Sequence, residues 1–261
     1  MHEPHFGQGS SSGIREGVRK LANHRTTHVT DGLKCHGETP FEMSAAVVRL
    51  LLAACLLSTA NAILHDVDGH VVEPDTGVKF PVLVPGEKGS LHLMGAAVRV
   101  KKIVFVSVQV YAVGLYAEKA AVAQKLTPEV SAAMFSTLLS EDADVPLTVR
   151  MEMVRAVGGE TMSGALNDAI KPRLAEIYKS EDKTKADMDA FTKQFDMASL
   201  ETGTVLTFSK VTGGKLITEV GGVKKGEIAS PALCSAFFSV FLDNDAVVVR
   251  DKLVERLPHF F

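Results

Sequence analysis

The chain has 261 residues, of which 46% are hydrophobic and 23% are charged, so it can bury a substantial core and fits one domain with appendages. Its 28 lysines and arginines are balanced by 31 aspartates and glutamates, which leaves a net charge of −3. This balance excludes the basic electrostatic field that would attract nucleic acid. Of the three cysteines, only Cys234 lies in the part expected to fold, so no internal disulfide framework is predicted there.

Residues 43–62 have the pattern of a secretory signal peptide. Arg49 precedes an apolar run at 50–57, and small residues ending in Ala60-Asn61-Ala62 provide a cleavage site before Ile63. The run is shorter than the roughly 20 apolar residues that a membrane helix needs, so no stable membrane span is expected. The alternative is an ordinary helix at 46–57 that packs against the core.

The segment before this signal is rich in His, Gly, Ser and Thr and poor in aliphatic residues. We interpret residues 1–42 as a disordered tail or a gene-model extension, with Met43 as the initiator, and residues 63–261 as the folded domain. The predicted location is the secretory pathway or the extracellular space. A signal of this kind can also form the first half of a bipartite plastid presequence, and that alternative stays open.

The folded part begins with extended segments. Residues 71–80 carry Pro and Gly among apolar residues, which predicts short strands joined by a turn. Two longer strands, 91–102 and 104–117, are expected to pair as a hairpin with Lys101 and Lys102 near its turn. The chain therefore opens with β-structure.

The later elements alternate irregularly between helices and strands. Hydrophobic spacing predicts a strand at 146–154 and a hairpin at 203–211 and 215–220. It predicts helices at 118–126, 128–139, 160–178, 185–197, 231–242 and 246–257. Without the regular strand and helix alternation of a parallel sheet, this order favours the α+β class, with an antiparallel β-sheet that has helices on one side.

The first long hairpin carries polar groups among apolar side chains. Alternation along 104–116 puts Gln109 and Tyr111 on one face, and Arg99 ends an apolar face of the preceding strand. An unpaired buried cation is costly, so Arg99 is expected to have a partner. That partner is a protein carboxylate, with Asp66, Glu152 and Glu160 as candidates, or an anionic ligand. The alternative is an arginine near the sheet edge that extends into water.

Three segments resemble the chalcone isomerase fold family. GAAVRVKK followed by VQVYAVGLYAE (95–102 and 108–118) is similar to that family's core hairpin. MVRAVGGETMSGALNDAIKPRL (153–174) and FLDNDAVVVRDKLVERL (241–257) resemble later segments. The similarity covers roughly residues 70–261, and it implies an open-faced β-sandwich, an antiparallel sheet covered by a layer of α-helices with a ligand cleft between them.

The family has an isomerase branch, which closes chalcones to flavanones, and a fatty-acid-binding branch without that activity. The resemblance implies that Arg99 takes the place of the isomerase arginine that stabilises a phenolate. The catalytic threonine of the hairpin falls at Tyr111. In the lipid-binding branch an arginine and a tyrosine of this hairpin hold a carboxylate, a pair that Arg99 and Tyr111 fit.

Further positions follow from the same resemblance. Asn167 matches the asparagine that shapes the isomerase site, whereas the family's tyrosine falls at or near Glu160, and Ser235 lies near a polar contact of a late helix. The missing tyrosine counts against chalcone cyclisation, because its hydroxyl helps to polarise the substrate carbonyl.

The sequence thus favours a protein that binds a fatty acid or similar anionic amphiphile through Arg99, Tyr111, Gln109, Asn167 and Ser235. The alternative is an intramolecular lyase of the chalcone isomerase type, with Arg99, Tyr111 and Asn167 acting on a chalcone-like phenol. A third reading is a homologue that shares only the fold, in which Arg99 pairs with a protein carboxylate. The expected partner is a small amphipathic carboxylate or phenolic ligand, with no cofactor.

Two further motifs are not interpreted as sites. Residues 65–70 lack the repeated oxygen ligands of a calcium loop, so no metal site is predicted there. Cys234 has no nucleophile signature nearby and is expected to be a packed thiol.

Overall fold

The computed structural model describes residues 66–127 and 132–261. The predicted signal peptide at 43–62 and the tail at 1–42 lie outside the described residues. A small antiparallel sheet comes first, formed by β1 (Asp66–Val67), β2 (His70–Val72) and β3 (Lys79–Pro81). Among the described residues it is the only strand structure before the main sheet.

The described residues contribute seven strands to the main sheet, and every neighbouring pair is antiparallel. Its strands are β4 (Leu83–Pro85), β5 (Ser90–Ile103), β6 (Val106–Ala117), β7 (Leu147–Met153), β10 (Val205–Val211), β11 (Lys215–Val220) and β12 (Val223–Ala229). They are arranged in the order β12-β11-β10-β7-β6-β5-β4. Between β7 and β10 in sequence, β8 (Val157–Gly158) and β9 (Ser199–Leu200) form a separate short pair.

The described helices are α1 (Lys119–Lys125), α2 (Ala132–Leu139), α3 (Gly159–Tyr178), α4 (Glu181–Thr192), α5 (Pro231–Leu242) and α6 (Arg250–Leu253), with 3-10 turns at Lys193–Phe195 and Leu257–Phe260. α5 shows why a helix begins where it does. The Ser230 side chain accepts a hydrogen bond from the Leu233 amide at 2.9 Å, and Pro231 occupies the first turn, where its missing N–H costs nothing.

Two hydrophobic clusters lie on opposite faces of the main sheet. The larger one packs the sheet against the helices and includes Phe191, Phe208 and Phe237, whose rings contact one another. The smaller cluster joins the small sheet to the outer face of β5 and β6 through residues such as Phe80 and Tyr116. The expected α+β fold with a helical layer on the antiparallel sheet is confirmed, and the small sheet covers part of its other face.

Some predicted elements differ from the structure. The edge strand β12 was not predicted, because its half-exposed and polar residues give no apolar alternation. The last predicted helix, 246–257, contains only the four-residue α6 and part of a 3-10 turn. β12 lies at the edge of the main sheet and is largely exposed, whereas the segment around α6 packs into the core through Leu253 and Leu257.

Two register shifts in the β5–β6 hairpin determine which side chains face the helices. One lies between Leu93 and Gly95, and the other leaves Val110 as an extra residue between Gln109 and Tyr111. An extra residue in one strand reverses the alternation of side chains beyond it. The second shift therefore separates two residues that simple alternation puts on one face.

Candidate functional site

A cavity of about 460 Å³ lies between the β5–β6 hairpin and helix α3. Its floor comes from alternate residues of β5 and from β6, and its opposite wall comes from one face of α3. The loop after β7 and the segment after α5 close its sides. This volume is within the range of sites that bind small organic molecules.

Arg99 lies on the cavity wall and is half-buried. Its Nη1 donates a hydrogen bond to the main-chain carbonyl of Val247 at 2.7 Å. None of the ion pairs in the part of the chain that the structure describes involves Arg99. Of the candidate partners, Glu152 pairs with Arg150 at 3.0 Å, and Glu160 is exposed. A guanidinium has five N–H donors, so Arg99 retains donors for a ligand.

Tyr111 lies directly opposite Arg99 in the hairpin register and lines the same cavity. Within the described residues its hydroxyl makes no hydrogen bond, although the side chain is only 5% exposed. Burial raises the pKa of Tyr111 to about 12, and the positive charge of Arg99 offsets part of that rise. The phenol is therefore neutral at physiological pH and can donate a hydrogen bond beside the guanidinium.

Two further cations lie at the rim of the cavity. Lys101 follows Arg99 on the same face of β5, and Arg155 comes from the loop between β7 and β8. Both are exposed, and no acidic residue of the ranges 66–127 and 132–261 lines the cavity. Neither was among the residues predicted for the site. Strand alternation from Arg99 would have indicated Lys101, whereas Arg155 depends on how a loop folds back.

The remaining lining is almost entirely apolar. Thr161 contributes a hydroxyl, and Gly158 contributes backbone. The apolar side chains are those of Ile103, Val108, Val110, Ala156, Val157, Met162, Ala165, Leu166, Ala169, Val240 and Val247. The arrangement combines a cationic rim with an apolar interior.

Three predicted site residues lie elsewhere. Gln109 is exposed and donates to the Asp75 carbonyl at 3.3 Å, because the extra residue Val110 turns it away from the cavity. Asn167 donates to the Thr192 hydroxyl at 2.8 Å on the side of α3 that faces α4. Ser235 donates to the Leu139 carbonyl at 2.5 Å. Of the predicted set, the structure thus brings only Arg99 and Tyr111 together.

The other reactive groups in the described part of the chain include one cysteine and no metal-binding cluster. Cys234 is fully buried, as predicted for a packed thiol, and burial raises its pKa to about 12, which keeps it protonated at neutral pH. Over residues 66–127 and 132–261 no group of three His, Cys, Asp or Glu side chains could hold a metal ion. In the same ranges, no helix is long and apolar enough to cross a membrane.

The fold and the cavity define an α+β protein with a ligand-sized cleft between sheet and helices. Residues 75–255 match the family described as chalcone isomerase-like, and the chain belongs to that family. The resemblance stated from the hairpin motif is therefore confirmed.

Three relatives add detail. Fatty-acid-binding protein 2 of Arabidopsis thaliana is 28% identical over 197 residues, which cover 69% of this chain and 48% of that protein, so the chain spans about half of that relative's length. Chalcone isomerase-like protein 1 of Humulus lupulus is 26% identical over 195 residues, which cover 71% of this chain and 85% of that protein. The crystal structure of the Arabidopsis thaliana fatty-acid binding protein AtFAP1 is similar with a TM-score of 0.65 and 22% identity, covering 73% of this chain and 98% of that one, which shows the shared fold.

Proposed function

We propose that the cavity binds a fatty acid or a similar anionic amphiphile and does not turn over chalcones. The observation that carries this proposal is the pair formed by Arg99 and Tyr111. They lie opposite each other on the wall of an apolar cavity, and neither is paired with a carboxylate of the described residues.

Electrostatics favours an anionic ligand. Arg99, Lys101 and Arg155 line the cavity, and among the described residues no aspartate or glutamate does. A half-buried guanidinium without a negative partner is unfavourable, and a bound carboxylate removes that cost. The forked guanidinium and the neutral Tyr111 hydroxyl then supply charged and neutral donors to its two oxygens.

The rest of the cavity suits an acyl chain. Its lining is built from aliphatic and methionine side chains of the hairpin and of α3. Each methylene moved from water into such surroundings contributes about 0.8 kcal/mol. The names of the Arabidopsis thaliana relatives as fatty-acid-binding proteins support the same ligand class.

The alternative of an intramolecular lyase has less support. Asn167, which the isomerase resemblance singles out, is bonded to Thr192 and does not line the cavity. Glu160, at the place of the family's tyrosine, is exposed and does not line it either. The only tyrosine lining the cavity is Tyr111.

The test is a titration of the purified chain with oleate, combined with native mass spectrometry for co-purified lipid and a chalcone absorbance assay. Arg99→Gln is expected to weaken oleate binding about 10- to 100-fold, because it removes charge-assisted hydrogen bonds. Tyr111→Phe removes one neutral donor and is expected to weaken binding about fivefold.

Lys225→Gln is the matched control, because it removes one positive charge from the exposed part of β12, outside the cavity lining. Its oleate affinity should equal that of the parent chain. If the chain consumed chalcone and this activity required Arg99, the result would contradict the binding proposal and support the lyase. Equal oleate affinity in the Arg99→Gln and Lys225→Gln chains would exclude the cavity as the carboxylate site.

A further inference from the structure

The far end of the β5–β6 hairpin is apolar and exposed. We name residues 100–107 the hairpin tip. Nine large hydrophobic side chains are exposed in the described residues, and the tip holds five of them: Val100, Ile103, Val104, Phe105 and Val106. Phe105 is 98% exposed and Val104 is 83% exposed. An apolar patch concentrated in this way marks an interaction surface, whereas single exposed apolar residues are ordinary.

The tip extends beyond the rest of the sheet. Strand β4 pairs with β5 only at residues 90–92, and β7 pairs with β6 only at residues 111–117. Beyond Arg99 and Tyr111, the ladder of the hairpin continues as two strands alone. The apolar side chains of the tip are therefore not part of either hydrophobic cluster.

The turn at the tip contains apolar residues in place of the residues that such turns normally use. Val104 and Phe105 form a two-residue turn, and Val104 has a φ of 54°. Turns of this length normally use Asn-Gly or Asp-Gly, and a positive φ is unfavourable for a β-branched residue. Valine and phenylalanine at this turn thus lower the stability of the fold, and because both side chains are exposed, no burial compensates for that loss.

The charges next to the apolar turn are all positive. Lys101 and Lys102 precede it, both are exposed, and no aspartate or glutamate occurs between Ser90 and Ala117. Arg155 adds a further cation where Lys101 and Ile103 line the cavity. The local excess contrasts with the chain's net charge of −3.

From these features we propose that the hairpin tip docks on an anionic lipid bilayer. Phe105 and Val104 enter the interface between headgroups and acyl chains, and Lys101 and Lys102 remain at the level of the lipid phosphates. A second copy of the chain is a less suitable partner, because a tip-to-tip contact would bring four lysines together. Docking does not require the proposed ligand. Lys101 and Ile103 belong both to the tip and to the cavity lining, so docking would place the cavity rim at the membrane surface. If the cavity binds the proposed ligand, that ligand would then enter from the bilayer side.

The absence of tryptophan from the chain allows a direct test. Phe105→Trp in the full chain places a single fluorescent indole at the tip, where 98% exposure leaves room for it. Val223→Trp is the matched control. Like Phe105, Val223 is an exposed apolar residue beside a turn, and it is followed by Lys224 and Lys225. No cluster of exposed apolar residues from the described ranges surrounds it.

Both chains are mixed with phosphatidylcholine vesicles that contain phosphatidylglycerol, with and without brominated acyl chains. The Phe105→Trp emission is expected to move to shorter wavelength and to be quenched by the brominated lipid, whereas Val223→Trp shows neither change. Replacing Lys101 and Lys102 by glutamine in the Phe105→Trp chain is expected to lower vesicle affinity about fivefold for each lysine.

An unchanged Phe105→Trp emission, or equal shifts at both positions, would overturn the proposal. A shift that grows with protein concentration and without vesicles would instead assign the tip to a second copy. Adding Arg99→Gln to the Phe105→Trp chain separates the two proposals. Vesicle docking should persist there while oleate binding is weakened as in Arg99→Gln alone, so either function can fail independently of the other.

Discussion

Both ends of the β5–β6 hairpin are mainly apolar, but their environments are opposite. Its base, residues 91–98 and 112–117, is dominated by Ala, Val, Leu and Gly, and nearly all of these residues are buried. The hairpin tip is also mainly apolar, with Val, Ile or Phe at five of its eight residues, and it is exposed. Arg99 and Tyr111 lie at the boundary, where the covering layers end and the cavity opens.

The difference lies in what covers each end. The base is packed between the helices on one face and the small sheet β1–β3 on the other. The tip extends past both layers. Apolar side chains therefore stabilise the core at the base, whereas at the tip they form an exposed interaction surface. Hydrophobic composition alone therefore does not distinguish core from interface.

The largest expected effect comes from filling the tightest contact at the base. A methyl group at Gly95 would lie 2.1 Å from the Lys252 carbonyl oxygen and 2.6 Å from the Leu253 carbonyl carbon. Backbone atoms cannot move aside as a flexible side chain can, so Gly95→Ala should lower the free energy of unfolding by about 3 kcal/mol or more. Urea denaturation measures it.

Gly164→Ala is the matched control, because beyond the neighbouring backbone of its own helix no atom lies within 4 Å of the added methyl group. Gly164 lies inside α3, where alanine is the better helix former. That variant should be stabilised by about 1 kcal/mol. A Gly95→Ala chain as stable as the parent would show that α6 does not press against the base as described.

The next effect tests the boundary between base and tip. Arg173 binds the Asp243 carboxylate through two hydrogen bonds of 2.6 and 2.9 Å, which holds the chain leading to Val247, the acceptor of Arg99. Asp243→Ala should cost about 2 kcal/mol of stability and also weaken oleate binding. Denaturation and an oleate titration give the two results.

Asp251→Ala is the comparison variant for this loss. The Asp251 side chain is 87% exposed, and its Oδ1 lies 3.8 Å from Nε of Arg250. Its removal should change stability by less than about 0.5 kcal/mol. If both variants bound oleate like the parent chain, the segment that contains Val247 would have no role in orienting Arg99.

Alkaline pH is expected to destabilise the boundary through Tyr111. Folding raises the pKa of this phenol from 10.0 to about 12, so its contribution to stability is complete below pH 10 and is lost as the pH rises from 10 to 12. Between about pH 8 and about pH 11, the loss of unfolding free energy should be about 1 kcal/mol smaller in Tyr111→Phe than in the parent chain. Equal losses would indicate that the hydroxyl is in contact with water.

The smallest effect is expected at the tip and has the opposite sign. Replacing Val104 and Phe105 by Asn and Gly supplies the residues that a two-residue turn prefers, which should raise the unfolding free energy by about 0.5 kcal/mol. Vesicle docking should be lost in the same chain. A variant that is destabilised, or that still docks, would contradict the proposal that Val104 and Phe105 lower stability and are needed for docking.

Sequence reasoning predicted the hairpin and the main helices, because alternation and helical spacing are local patterns that burial reinforces. The pair of Arg99 and Tyr111 followed from the family resemblance, because alternation leaves the register between the two strands open. It misplaced Gln109, since one extra residue at Val110 reverses the alternation and leaves no clear mark in the sequence. It missed Arg155, whose position depends on a loop, and β12, whose polar residues pair with β11 through the backbone.

The amino-acid sequence by itself indicated the α+β class, the family and, through the resemblance to that family, Arg99 and Tyr111 as a pair. These depend on residue type and on spacing within one segment. Only the tertiary structure decided which cations share a cavity, that no acidic side chain from the described part of the chain joins them, and that the apolar hairpin tip lies outside both layers. Such features depend on segments distant in the chain, because burial and charge compensation arise only where those segments meet.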